Sequence, residues 1–411
     1  MSQSELCAAT AVTDITPPLE VGLLTSSVKA EYAPFESIRT PLKARVLVLQ
    51  SGKEKVAVVS LDLLSLTDTS VGGWDHFKAA MAGAVPAANI VICCTHTHSA
   101  PESGALTGLY QTPAFIDWLK KMQQDIRTAI NTAAEQLQPC TLSVATASLE
   151  GYSLQRRIKL PEGMVISDSL QPVSEELMNG VPVDRRVKTV RLMGNNRQPV
   201  ATVVQAVCHP VHEMCIPRVS ADFPGELCTA LEQSGKNGTA LFLNGAAGNI
   251  NPPTVSMGAA YSEAHGTAMA DLVEATEPLL LGDTAFSFRR ISIPFAVRSG
   301  SGISNPLDAV ARISLVHFKS LAILFLPGEV FVETALKIEQ ASPFEYTVIA
   351  GFSENNIGYM PTPQAFEEGG YETGPGKWSF LEKGASDRIS EAAIDLLHQQ
   401  FDKMNAHLIK S

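Results

Sequence analysis

Two histidines one residue apart close an apolar run that reads Ile90, Val91, Ile92, Cys93, Cys94, Thr95, His96, Thr97, His98. In an extended chain successive side chains point to opposite faces, so the two imidazoles share one face with Cβ atoms roughly 6–7 Å apart. Imidazoles presented together where a buried strand opens into a loop suit metal binding or proton transfer, and a plain hydrogen-bonded pair on a strand face is the alternative. His209 ends a second apolar stretch in the same way, and Pro210 stops that strand from continuing. His212 and Glu213 follow, but His-x-x-His-Glu is not the order of a zinc-protease helix, so His212 is read as a supporting or surface residue. The remaining histidines, His76, His265, His317, His398 and His407, are expected to be structural or on the surface.

Three further segments carry chemistry-bearing residues. Phe325 and Leu326 run into a Pro327-Gly328 turn, so Glu329 emerges where a helical stretch begins and the helix dipole favours a carboxylate; a capping glutamate is the plain alternative. The polar loop 353–363 holds Tyr359, with Tyr371 beyond it. The stretch 243–252 contains Gly245, Gly248, Asn249 and Asn251, and its small residues let backbone approach a ligand closely.

The elements that must position these residues are short strands alternating with helices. Period-two and continuous apolar runs predict strands at 7–15, 44–50, 56–62, 90–94, 142–147, 187–193, 200–207, 240–243, 286–296, 321–326 and 347–351. Three- and four-residue apolar spacing predicts helices at 115–137, 225–233, 259–274, 330–339 and 386–404. Interleaved strand and helix signals predict an α/β fold of layered mixed β-sheets with surrounding helices. The segments 160–184 and 367–377 exceed ordinary connections and are candidates for loops over a site, with a flexible linker the alternative for 160–184.

Composition narrows the partners. A chain of 411 residues, 45% hydrophobic, can bury a large core. A net charge of −11, with basic clusters only at 156–159 and 185–186, argues against nucleic acid or an anionic membrane surface. The seven cysteines include no Cys-x-x-Cys pair, and most fall in apolar strands as expected of reduced core thiols. No targeting segment or membrane span is read, so a cytoplasmic enzyme with no stable membrane insertion is expected.

Taken together and in order, these motifs resemble the catalytic domain of the neutral/alkaline, non-lysosomal ceramidases. The resemblance rests on Thr95 to Ser99, Pro182 to Asp184, Cys208 to Pro210, Ser220 to Asp222, Gly245 to Pro252, Pro327 to Glu329 and Gly358-Tyr359, besides 8–17 and 59–62. It implies a catalytic Zn²⁺ held by His96, His209, Glu329 and Tyr359. It further implies His98 as the proton carrier, with Tyr371 and Arg156 as donors to the oxyanion; Arg157 is the alternative register for the arginine. Residues 1–411 are then expected to form one ceramidase-like catalytic domain without the C-terminal immunoglobulin-like domain of that family.

Ceramidases place a serine, assigned a nucleophilic role, where this chain has Asn251. An amide is not a competent nucleophile, so direct attack by zinc-bound water is expected, with Asn251 a catalytic accessory. The expected substrate is a small-molecule amide or N-acyl compound, small or lipid-like. Two alternatives stay open: an amidohydrolase-type metallohydrolase acting on a lactam or ester, and a non-catalytic binding protein that retains the fold.

Overall fold

The structure is a computed structural model that describes residues 5–24 and 32–410; the side chain of His407 lies outside the described residues. Nine strands form the larger sheet: β1 (Leu6–Asp14), β2 (Lys43–Ser51), β3 (Glu54–Leu61), β4 (Ile90–Cys94), β5 (Gln138–Ser148), β6 (Arg186–Gly194), β7 (Pro199–Ala206), β8 (Thr239–Asn244) and β9 (Leu279–Leu281). They run in the order β8-β7-β6-β5-β1-β2-β3-β4, with β9 also paired to β5. Only the two ends of that path are parallel, β7 with β8 and β3 with β4. A smaller sheet holds β10 (Ser287–Pro294), β11 (Val310–His317), β12 (Leu321–Phe325) and β13 (Tyr346–Ala350), of which β12 and β13 are parallel. Two sheets with so few parallel pairs are not an eight-stranded parallel barrel, which removes the amidohydrolase-barrel alternative.

Alternation along the strands explains the layering. In β2, Val46 and Val48 join a core with Trp74 and Phe77 of α1 (Trp74–Met81) and with α2 (Pro113–Glu135). Their neighbours Leu47 and Leu49 face the other way, into a core shared with Phe288, Val316, Ile323 and Val348 of the smaller sheet. Helices α3 (Asp222–Gln233) and α4 (Ala259–Ala275) cover β7 and β8 through Phe223, Leu227 and Met269. Helices α5 (Val332–Ala341) and α6 (Ala385–Lys410) cover the outer face of the smaller sheet through Ile338, Ile389 and Leu396. The order is helices, large sheet, small sheet, helices, as the α/β expectation required.

The differences from the sequence reading are local. Helix α1 and strands β9 and β11 were absent from the predicted elements. Helix α1 is one of the shorter helices, opening at Gly73, and in β11 the polar Arg312 and Ser314 interrupt the apolar run although both are buried. Segment 160–184 is not a featureless loop: Arg157–Leu160 pairs with Gly163–Ile166 as a hairpin, followed by a short 3₁₀ turn at Ser167–Leu170. No described helix is long and apolar enough to cross a membrane.

Candidate metal centre

The C-terminal ends of β4, β7, β12 and β13 converge, and the site is built from the chain just beyond them. Strand β4 stops at Cys94, so His96 and His98 lie on a loop rather than on a strand face. His96 has φ +71°, a left-handed conformation that a non-glycine residue adopts only when its surroundings enforce it. Four contacts do so. His96 N donates to Leu63 O (2.9 Å), its Nδ1 lies 2.7 Å from Leu64 O, its ring stacks on Phe352 (centroids 4.1 Å apart), and Thr97 Oγ1 donates to Ser220 O (2.8 Å). The two imidazoles still meet, with Nε2 atoms 3.3 Å apart, through a backbone turn rather than strand alternation.

His209 follows β7 by three residues, and its Nδ1 lies 3.1 Å from Ile250 O. Asn244, the last residue of β8, ties the two histidine loops together: its Nδ2 donates to Thr95 O (3.1 Å) and to Cys208 O (3.0 Å). Glu329 is held from the other sheet, where its N donates to Gly358 O (2.9 Å) and it sits in parallel register with Tyr359. A Cβ on Gly248 would lie 2.5 Å from Glu329 O. The small residues at 245–248 thus admit another stretch of this backbone, where a ligand had been expected. The loop after β13 stitches the sheets together, Cys94 N donating to Phe352 O (2.9 Å) and Glu354 N to Ile92 O (2.6 Å).

The donor set fits a cation. With each Nδ1 proton given to a carbonyl, His96 and His209 both present Nε2 lone pairs. Glu329 Oε2 lies 3.5 Å from the first and 3.2 Å from the second, yet it is buried with no hydrogen-bond donor. Acceptors facing one another in a dry pocket repel unless positive charge sits among them. One ring nitrogen from each of His96, His98 and His209 falls within 4.8 Å of the others. Burial would raise the Glu329 pKa, but the adjoining His96 and His209 rings reverse this and hold it below the usual carboxylate range. Burial, and then the charge of Arg156, push His209 down to about 4, and burial followed by the neighbouring His96 and His209 pushes His98 well below its ordinary value. Burial thus disfavours the charged form of His98 and His209 while Glu329 stays ionised, the protonation a divalent ion requires of such groups.

The other expected residues stand around this cluster. Tyr359 and Tyr371 have hydroxyls 3.0 Å apart, and burial raises both phenol pKa values. Of the two arginines it is Arg156 that faces the cluster, with Nη1 3.4 Å from His209 Nε2 and donating to Asn251 Oδ1 (3.3 Å). Arg157 turns away to Glu372 and Gly369 O. Asn251 Nδ2 donates to Asp168 Oδ1 (2.6 Å), so segment 160–184 reaches the site through Asp168. Asp168, Glu372, Phe352 and Asn244 were not singled out as site residues; their signal lies in partners far away in sequence. His212 is neither on the surface nor beside the cluster's ligand atoms: it is buried, with Nε2 3.1 Å from His265 Nδ1 and Nδ1 2.9 Å from Thr254 Oγ1.

Nearly the whole chain is similar in fold to solved ceramidase structures. A neutral ceramidase from Pseudomonas aeruginosa superposes with a TM-score of 0.75 at 15% identity, covering 98% of this chain and 75% of that one. A ceramidase complexed with C2 also superposes with a TM-score of 0.75 at 15% identity, covering 97% and 76% respectively. No family model matches the sequence, and no curated protein matches it. At that identity the likeness establishes a ceramidase-like fold.

Proposed function

From a ceramidase-like fold with a buried cluster of imidazole and carboxylate acceptors at its converging strand ends, we propose that this protein is a zinc-dependent hydrolase of carbon–nitrogen bonds in N-acyl compounds. The observation that carries the reading is Glu329 Oε2, buried without a donor between the Nε2 atoms of His96 and His209. His96, His209, Glu329 and Tyr359 are the residues that would hold the ion, which when bound supplies Lewis-acid polarisation of a carbonyl and acidifies water.

The chain's own residues do the rest. Arg156, fixed by Glu372 and Asn251, has a buried Nη2 with no partner, free to donate to an oxygen that becomes negative as a carbonyl carbon turns tetrahedral. The Tyr371 hydroxyl keeps its proton and donates toward the same oxygen. His98, neutral and lacking a partner at Nδ1, accepts a proton from the water whose oxygen attacks the carbonyl carbon and returns it to the nitrogen that departs as the C–N bond breaks. Asn251 has its carbonyl oxygen on Arg156 and its amide on Asp168, so it acts as a brace and not as a nucleophile.

The test measures metal and turnover together. Purified protein should carry about one zinc per chain and cleave members of a panel of N-acyl amino acids, N-acyl amines, lactams and short esters. His209→Ala should lose both the ion and the activity while remaining folded by circular dichroism. Metal-free wild-type protein that stays folded, takes up no zinc and cleaves nothing would favour a binding protein that retains the fold.

A further inference from the structure

The Arg156 guanidinium is held at two of its nitrogens. Nε donates to Glu372 Oε1 (3.2 Å) and Nη1 to Asn251 Oδ1 (3.3 Å), while Nη2 is buried without a partner. The bond at Nε alone would let the plane swing about that edge; the second anchor, at Nη1, fixes the plane and with it the direction of Nη2. That anchor depends on which way the Asn251 amide faces. A guanidinium only donates and a carboxylate ion only accepts, so an amide between Arg156 and Asp168 turns its oxygen to the first and its Nδ2 to the second, 2.6 Å from Asp168 Oδ1. Reversing the amide would set donor against donor on one side and acceptor against acceptor on the other. The backbone brings Asp168 to this point. Asn251 pairs with Leu154 in antiparallel register, Arg156 N donates to Asn249 O (3.0 Å), and Arg156 O accepts from the N–H of Ser167 (2.8 Å), the residue before Asp168. Burial raises the Asp168 pKa, and the charge of Arg156, followed by the bond from Asn251, opposes that rise, so the carboxylate is held along this chain of side chains.

We propose that Asp168 is a positioning residue of this site: by fixing which way the Asn251 amide faces, it sets the plane of the Arg156 guanidinium and the aim of its free Nη2. The inference rests on the hydrolase reading above for what Nη2 is aimed at, an oxygen that gains negative charge. Asp168 touches neither the histidines nor the glutamate, so it acts only through Asn251. A carboxylate that merely anchored the hairpin 157–166 would act independently of Asn251, and that difference is measurable.

The experiment is a double-mutant cycle on the zinc-loaded full chain, with Asp168→Ala, Asn251→Ala and the pair together. One readout is kcat and KM on an N-acyl substrate from the panel. The other is calorimetric binding of methylphosphonate, a tetrahedral anion that needs no turnover. Asp168→Ala should lower kcat by roughly 10–100-fold with little change in KM, and weaken methylphosphonate by about 10-fold, because a donor is misaimed and not removed. In the Asn251→Ala background the same substitution should have no further effect on either readout. Asp168→Asn, which keeps an acceptor oxygen in place, should recover most of the loss. If Asp168→Ala does not fold, Asp168→Leu takes its place in the cycle. Wild-type kcat and binding in Asp168→Ala overturn the proposal, as does an undiminished effect of that substitution in the Asn251→Ala background. Absence of turnover in every protein counts against the hydrolase reading, and the methylphosphonate cycle alone then decides the role of Asp168. Failure of the wild-type protein to bind methylphosphonate overturns that role too.

Discussion

His98 and His96 differ in one respect that separates a proton carrier from a ligand. Both Nε2 atoms point into the cluster, but His96 has its Nδ1 proton committed to Leu64 O while His98 Nδ1 has no partner. A ligand needs a fixed tautomer; a proton carrier needs freedom to change it. We therefore expect His98→Asn to retain about one zinc per chain while turnover falls roughly 10²–10⁴-fold. Atomic absorption alongside steady-state kinetics separates the possibilities, and loss of the ion from His98→Asn would make His98 a ligand. His96 and His98 were legible as a pair from their residue types and spacing, though the reasoning from strand alternation described a geometry the chain does not adopt. The left-handed φ of His96 has no signature in the sequence, because it is imposed by Leu63, Leu64 and Phe352.

At the scale of elements, strand ends bring the cluster together and single polar side chains hold the loops in step. Asn244 is the clearest case, since one amide bonds the carbonyl just before His96 and the carbonyl just before His209. Asn244→Leu keeps the volume but leaves both buried carbonyls unpaired, so stability should drop by about 2–4 kcal/mol. Zinc affinity should fall further than that of a control core substitution of equal cost. Urea unfolding of the metal-free protein and competition with a chelator would measure the two quantities. Equal affinity in Asn244→Leu and wild type would show that the loops are held elsewhere. Most strands were legible because apolar runs with β-branched residues bounded by turns leave little choice. What sequence could not reveal is which loop meets which. The Asp168–Asn251 and Arg156–Glu372 contacts join residues 83 and 216 positions apart.

At the scale of the whole molecule, a second histidine cluster adds to the pH dependence of stability that the depressed His98 and His209 already give the metal-free protein. His265 lies between Phe223 and Tyr152, with ring centroids 4.0 and 4.6 Å away, and contacts His212. Burial, and then the neighbouring His212, push its pKa well below the ordinary 6.5. An unfolded chain takes up a proton here near pH 6.5 and the folded chain does not. The stability is therefore complete above that pH and is lost as pH falls toward the depressed folded value, with a slope approaching ~1.4 kcal/mol per unit. His265→Gln cannot titrate, so in metal-free protein its unfolding free energy should decline less between pH 7 and 5 than that of the wild type. Identical slopes would assign the acid sensitivity to another group.

The histidines and the glutamate of the candidate metal cluster come from the two different sheets, His96 and His209 from the large one and Glu329 from the loop beyond β12. During synthesis the ribosome therefore releases both imidazoles more than a hundred residues before the carboxylate exists. The proposed ion site is therefore incomplete until the last third of the polypeptide has closed over the first two, so a truncated chain ending before Glu329 should bind zinc more weakly than the full chain.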